Sequence, residues 1–340
     1  MAFTLAVDAM GGDLGPSVTV PAIARALSHF PNLNIRAFGN QQALEPFLVA
    51  EGMLHHPRLT LCHAEQEVAM DEKPAVALRM KRSSSMGMAI GDVADGRAQA
   101  CVSAGNTGAL MALSRHLLKT LPGVERPAIV SAMPTVNDGH VYMLDLGANV
   151  SVDSDTLYQF AVMGNAMVRE VEGIASPKVA LLNIGEEDIK GNDQVKHAAR
   201  LLEDCPGINY IGYVEGHDIF TGKADVIVCD GFVGNITLKT CEGIADFFLS
   251  QLKAAFNRNW LTRLLGLLVL PWLKRVYHRV NPDQYNGASL LGLRGIVVKS
   301  HGNANTDAFF NAISQALTEA QRQLPNGIKD AFDAVLLDKH

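Results

Sequence analysis

The chain has 340 residues, of which 48% are hydrophobic and 19% charged, and its formal net charge is −6. That length buries a substantial core, and that composition excludes a disordered chain. A net negative protein has no global electrostatic support for binding nucleic acid, so none is expected as a partner; local basic patches carry any polyanion contact.

In chain order, residues 3–9 read as an apolar strand and 17–29 as a helix. A strand over 33–39, a helix over 41–51 and a third strand at 59–62 follow. Residues 72–95 read as helix, a turn at Ser83–Ser85, then helix. A strand at 99–103 leads into a helix ending near Leu118. Strands near 127–133 and 140–146 precede a long helix over 155–172, a strand at 178–183 and a helix over 192–204. Strands near 209–214 and 225–229 come before a helix starting near Asn235. This alternation predicts an α/β fold around a largely parallel sheet. No linker rich in Pro, Gly or Ser separates two domains, so the expectation is one domain over 1–340 with two lobes. The first residues, MAFTLAVDAM, lack a basic start, and Asp8 interrupts the apolar run, so they read as a strand and not as a secretory signal.

Six apolar strands end in turns of Gly, Asn, Ser and Asp: LAVDAMGGDLGP, ACVSAGNTGAL, MLDLGAN, ALLNIGEE, VIVCDGFVGN and VVKSHGNAN. Strand ends are where open α/β sheets bind ligands, and such turns expose N–H groups suited to an oxyanion. Six turns at the same end of apolar strands predict one shared site. The cysteines number five and none has C-x-x-C spacing, which speaks against a disulfide framework or a zinc site. No G-x-G-x-x-G, Walker P-loop, H-E-x-x-H or G-x-S-x-G occurs. H-x-x-x-x-D appears twice, at His140 with Asp145 and at His278 with Asp283. The first pair sits on a strand, where that spacing puts the two side chains on opposite faces.

Residues 258–280, RNWLTRLLGLLVLPWLKRVYHRV, break the pattern. The apolar stretch is too short to span a bilayer, and Pro271 interrupts it. Basic residues on both flanks and Trp260 and Trp272 inside fit a hairpin lying on an anionic membrane surface, contacting it through Leu264, Leu265, Leu268, Val269, Trp272 and Leu273. A core or dimer-interface hairpin is the other reading.

VDAMGGDLGP, EKPAVALRMKRSSSM, SAGNTGAL, LDLGAN, LLNIGEEDIKG, DGFVGN and YNGASLLGLRG resemble the PlsX family of bacterial phospholipid synthesis from end to end and in order. The resemblance implies transfer of a long-chain acyl group from acyl carrier protein to inorganic phosphate. It implies a two-lobed α/β/α sandwich similar to phosphotransacetylases and isopropylmalate dehydrogenases, normally a homodimer. It also implies a cytoplasmic protein held at the inner face of the membrane, passing acyl phosphate to a membrane glycerol-3-phosphate acyltransferase.

The implied chemistry is attack of phosphate on a thioester, which needs no side-chain nucleophile and neither metal nor cofactor. Phosphate is expected on Ser103, Gly105, Asn106, Thr107 and Gly108, helped by Asn149 and Asn235. Lys190 is the expected cation for phosphate or oxyanion, and Asn183 and Asn235 are expected oxyanion donors. His301 either protonates the departing thiolate or binds phosphate. Asp8 and Asp230 are expected to orient other groups or cap turns. An acidic carrier protein is expected on Arg79, Lys81 and Arg82, or on Arg263, Lys274 and Arg275. A phosphotransacetylase-like enzyme acting on acyl-CoA and a non-enzymatic membrane scaffold are the alternatives.

Overall fold

A computed structural model describes residues 2–266, 269, 272 and 286–337. Eleven strands form one sheet in the order β3-β2-β1-β4-β11-β10-β5-β6-β9-β7-β8. Their ranges are β1 Phe3–Asp8, β2 Leu33–Gly39, β3 Leu59–His63, β4 Ala100–Ser103, β5 Ala128–Pro134, β6 His140–Leu144, β7 Lys178–Leu182, β8 Asn209–Val214, β9 Val226–Val228, β10 Ala288–Leu291 and β11 Ile296–Lys299. β1, β2, β3, β4 and β11 are mutually parallel, and so are β6, β7, β8 and β9. Between them β10 and β5 pair antiparallel to each other and to their neighbours β11 and β6. The two parallel halves therefore run in opposite directions. Because of this reversal the six strand-end turns fall into two groups of three, where the sequence predicted one. The first follows β1, β4 and β11; the second follows β6, β7 and β9.

The central strands are mainly apolar, as strands covered on both faces are, with polar residues such as Ser103 and Lys299 at their ends. β4 (ACVS), β9 (VIV) and β11 (IVVK) are buried at every position. Helices α1 (Pro16–His29), α2 (Gln41–Ala50) and α9 (Thr306–Gln321) cover one face of the β1 half. On that same face α6 (Ser154–Glu172), α7 (Asp193–Glu203) and α10 (Leu324–Leu337) cover the β6 half. On the other face α3 (Pro74–Met80), α4 (Ser85–Ala94) and α5 (Thr107–Leu118) pack on the β1 half. There the β6 half is covered by Ile219 and by Leu238 of α8 (Gly231–Phe256). Each fully buried Leu or Ile, such as Leu5, Ile35 and Leu110, contributes about 1.5–3 kcal/mol by leaving water.

Capping sets the helix boundaries. The Asp230 carboxylate accepts from Val233 N at 2.8 Å, so α8 starts at Gly231, one turn before the sequence expectation near Asn235. Ser84 accepts from Gly87 N and starts α4, which splits the expected 72–95 stretch into two helices. The long helix α6 is capped by Asp153 and ends on Gly173, at φ 72°, where left-handed backbone favours glycine. Among the described residues no helix is long and apolar enough to cross a membrane.

Candidate active site between two groups of turns

In the first group the turns interlock. Asp8, at the end of β1, is buried and accepts from Ser103 Oγ at 2.7 Å and from Met10 N at 3.4 Å. Burial pushes its carboxyl up, against the hydroxyl donors Ser85 and Ser103, which hold it down. Ser103 Oγ also accepts from Gly105 N at 3.0 Å, and Asp13 N donates to Gly302 O at 2.7 Å. Asn106 caps α5 by accepting from Ala109 N at 2.9 Å, and its amide donates to Met70 O and Glu72 O at 2.7 and 3.0 Å. The Ser103 hydroxyl, the Gly105 amide and the Asn106 side chain thus all have partners within the protein. Thr107 and Gly108 are exposed on the first turn of α5. Amides there lack intrahelical acceptors and carry the positive end of the helix dipole.

The second group is built around Asp145, fully buried after β6. It accepts from Ile129 N (2.9 Å), Gly147 N (3.3 Å), Ala148 N (3.0 Å), Asn149 N (2.7 Å) and Asn149 Nδ2 (3.0 Å). Burial pushes this carboxyl up too, opposed by those donors. Asn149 Nδ2 also donates to Pro127 O at 2.9 Å, so this side-chain amide braces the turn. α8 packs so closely that a Cβ on Gly234 would lie 1.9 Å from Asp145 O. His140, the other half of the H-x-x-x-x-D match, is turned away to Glu172 at 3.1 Å. After β7, Asn183 Nδ2 donates to Gly185 O and Lys190 O at 3.1 and 3.3 Å, so it holds the loop that carries Lys190. Lys190 is exposed and pairs with Glu187 at 2.8 Å, which pushes its ammonium up.

α8 joins the two groups. It starts in the β6 group, and two turns later Lys239 Nζ lies 3.3 Å from His301 Nε2 in the β1 group. Asn235 is one turn earlier, on the same helix face as Lys239. It is exposed beside Gly147, and its amide has no protein partner among the described residues. His301 is half exposed, and Asn286 Oδ1 accepts from its main-chain N–H at 2.9 Å. Lys239 also pairs with Glu242 at 2.7 Å.

Sequence reasoning missed Lys299, the last residue of β11. It is buried, and its ammonium donates to Ala104 O at 3.3 Å and to Ser300 O. Among the described residues no carboxylate is within ion-pair distance. Burial, and then the Lys239 charge, push its pKa down to about 8. The signal was a lysine closing the apolar run IVVK, directly under the turn that begins at Ser103.

Two surfaces flank the site. α3 touches the start of α5, where Pro74 closes over Gly108, and it exposes Arg79, Val76 and Met80; just beyond its end Lys81 is half-buried and Arg82 exposed. The second half of α8 exposes Ile244, Phe247 and Phe248, and beyond the helix Trp260, Leu261, Leu264, Leu265, Val269 and Trp272 are exposed with Arg263 among them. Leu268, Leu273, Lys274 and Arg275, and the pair His278 and Asp283, lie outside the described residues.

Residues 3–326 match the family model described as fatty acid synthesis protein. The chain is 55% identical over 335 residues to the phosphate acyltransferase of Shewanella halifaxensis and 54% over 335 residues to that of Shewanella woodyi, each match covering 98% of both chains. Its fold is similar to the EutD phosphotransacetylase from Staphylococcus aureus (TM-score 0.60, 18% identity, 94% of each chain). It is equally similar to a phosphotransacetylase from Streptococcus pyogenes (TM-score 0.62, 18% identity, 95% and 94% of the chains).

Proposed function

The chain belongs to the PlsX family of phosphate acyltransferases, and from that premise we propose that it moves a long-chain acyl group from acyl carrier protein to inorganic phosphate. The observation that carries the site is buried Lys299, a cation held by main-chain carbonyls beside the open N-terminus of α5. Phosphate sits on the Thr107 and Gly108 amides, above Lys299 and facing Lys239 and His301. An oxygen of phosphate bonds to the thioester carbon, and the carbonyl oxygen takes up the negative charge. The Asn235 amide donates to that oxyanion. When the charge returns, the C–S bond breaks and its electron pair leaves on sulfur. The departing thiolate takes its proton from Lys299, whose pKa of about 8 suits a thiol, with His301 as the second candidate. Lys190 serves the reaction by exchanging Glu187 for the ligand, and Asn183 holds its loop.

The carrier protein docks on α3, where Arg79, Lys81 and Arg82 meet an acidic partner beside Gly108. Arg263 sits instead among the apolar residues that rest on an anionic membrane surface, at the inner face of the cell membrane. There a membrane acyltransferase takes the acyl phosphate. In the homodimer the second copy covers the apolar face of α8.

The test is acyl phosphate formation from palmitoyl-carrier protein, with palmitoyl-CoA and acetyl-CoA run alongside. Turnover confined to the carrier thioester is expected. Turnover of acetyl-CoA, or none at all, overturns the reading.

A further inference from the structure

The β1 half carries a second cavity at the opposite end of its strands. It holds about 360 Å³ and is lined by Arg36, Arg58, Arg97, Thr4, Asn34 and Thr60. Thr4 and Asp8 stand near the two ends of β1, about 13 Å apart at the rise of a strand, so this cavity is distinct from the turns that hold Lys299.

Its charge is fixed by the fold. Asp92, at 1% exposure, draws Arg36 and Arg97 together, each through its Nε. Arg97 adds a contact to exposed Asp95 through Nη2, at 2.7 Å. Arg58 is anchored from the other side by the carbonyls of Leu27, Phe30 and Leu33, at the end of α1. Three guanidinium groups thus meet two carboxylates at one opening. The terminal nitrogens of Arg36 have no protein acceptor among the described residues. The side chains of Asn34 and Thr60 are equally unspent there. Arg36, held through Nε alone, presents the planar pair of terminal nitrogens that phosphate oxygens accept from together, while Arg97 keeps Nη1 and Arg58 keeps Nε for a ligand. The volume is that of a small-molecule site.

We propose that this cavity binds a small organic phosphate carrying at least two phosphoryl groups, at a site separate from the acyl-transfer centre. Arg36 and Arg97 take one phosphoryl group and Arg58 the other, while Asn34 and Thr60 hydrogen-bond the body of the ligand. Occupancy ties β2, β3 and the end of α4 together.

The test is titration calorimetry of the full chain with inorganic pyrophosphate. Inorganic phosphate is avoided because it is the proposed substrate. Arg97→Gln removes one guanidinium, and Thr60→Glu puts a carboxylate on an exposed edge-strand position while leaving every arginine in place. Lys299→Met reports on any pyrophosphate bound at the reaction site. Binding that is weakened tenfold or more by Thr60→Glu and Arg97→Gln but kept by Lys299→Met is expected. Acyl transfer without pyrophosphate stays unchanged in Thr60→Glu. Binding lost only in Lys299→Met, binding indifferent to Thr60→Glu, or no binding at millimolar pyrophosphate overturns the proposal. This outcome is independent of which thioester the enzyme uses. Parallel titrations with ADP and with fructose 1,6-bisphosphate then tell a nucleoside diphosphate from a sugar bisphosphate.

Discussion

Asp8 and Asp145 end strands of similar sequence, VDAMGG and LDLGAN, and both are buried, yet they do different work. Asp145 collects five donors, four of them main-chain amides, and closes its own turn into a rigid block. Asp8 relies instead on hydroxyl donors from elsewhere in the chain, Ser85 and the Ser103 of a neighbouring turn, beside the amides of its own turn. The β6 group is therefore a scaffold onto which α8 is clamped. The β1 group ties separate turns together and leaves the start of α5 open. Similar local sequences yield a brace in one half and a seat in the other, because what each aspartate can reach depends on the strands beside it.

The largest expected effect tests this asymmetry directly. Asp145→Ala strands buried amides and costs about 4 kcal/mol in chemical denaturation, against about 2 kcal/mol for Asp8→Ala. Equal losses would break the comparison.

The seam between the halves supplies the next. Glu319 of α9 is fully buried and accepts from Ser289 Oγ of β10 and from Gln315. Burial holds its pKa up at about 7, against hydrogen bonds from Ser289 and Gln315. As pH rises from the ordinary glutamate value, the unfolded chain releases this proton first, so the folded state loses stability until about pH 7. The loss is about 3 kcal/mol. Glu319→Gln removes it, so the variant is more stable than the wild type at pH 8 and similar at pH 4. Thermal melts across pH read this out, and a parallel pair of curves would refute it.

Lys299→Met separates seat from scaffold. Replacing a buried cation by an apolar chain of similar length leaves stability unchanged or improved, while turnover falls about 100-fold, or about 3 kcal/mol in the barrier. The lowered pKa of Lys299 means that the folded state gains stability as pH rises from about 8 towards the ordinary lysine value. In the variant that slope is lost. Wild-type turnover falls as pH passes about 8, because the proton donor is then neutral. Retained activity would remove Lys299 from the mechanism.

The smallest effects come from two asparagines. Asn106→Ala costs about 1–2 kcal/mol of stability through its lost cap and loop contacts. Asn235→Ala changes stability by less than about 0.5 kcal/mol, as surface changes do, and lowers turnover about tenfold. If the two variants behave alike, the division between bracing and reacting residues is wrong.

Much of this was legible in the sequence. The apolar strands, their polar turns and most helices follow from periodicity and capping residues, and the family motifs fall on the loops that follow those strands. What periodicity does not carry is partnership across the chain. The Asn106 amide faces carbonyls at Met70 and Glu72, more than 30 residues earlier. The reversal that splits six turns into two groups rests on the antiparallel pairing of β5 with β10, whose residues are far apart in the chain. Lys299 looks like an ordinary strand-end lysine until β4 and β11 are laid side by side.

The 26-residue helix α8 has a mechanical consequence. At 1.5 Å per residue it is a rod about 39 Å long, pinned at its first turns by Gly231 and Gly234. Lys239 rides about 12 Å from that pivot, and the apolar far end about three times further. A tilt of about 10° that carries the far end by about 7 Å shifts Lys239 by about 2 Å, enough to make or break its contact with His301. The helix is geared: a large excursion at the surface is reduced to a fine adjustment at the cation pair. At the exposed Phe247, about 24 Å from the pivot, a displacement is reduced about twofold on its way to Lys239.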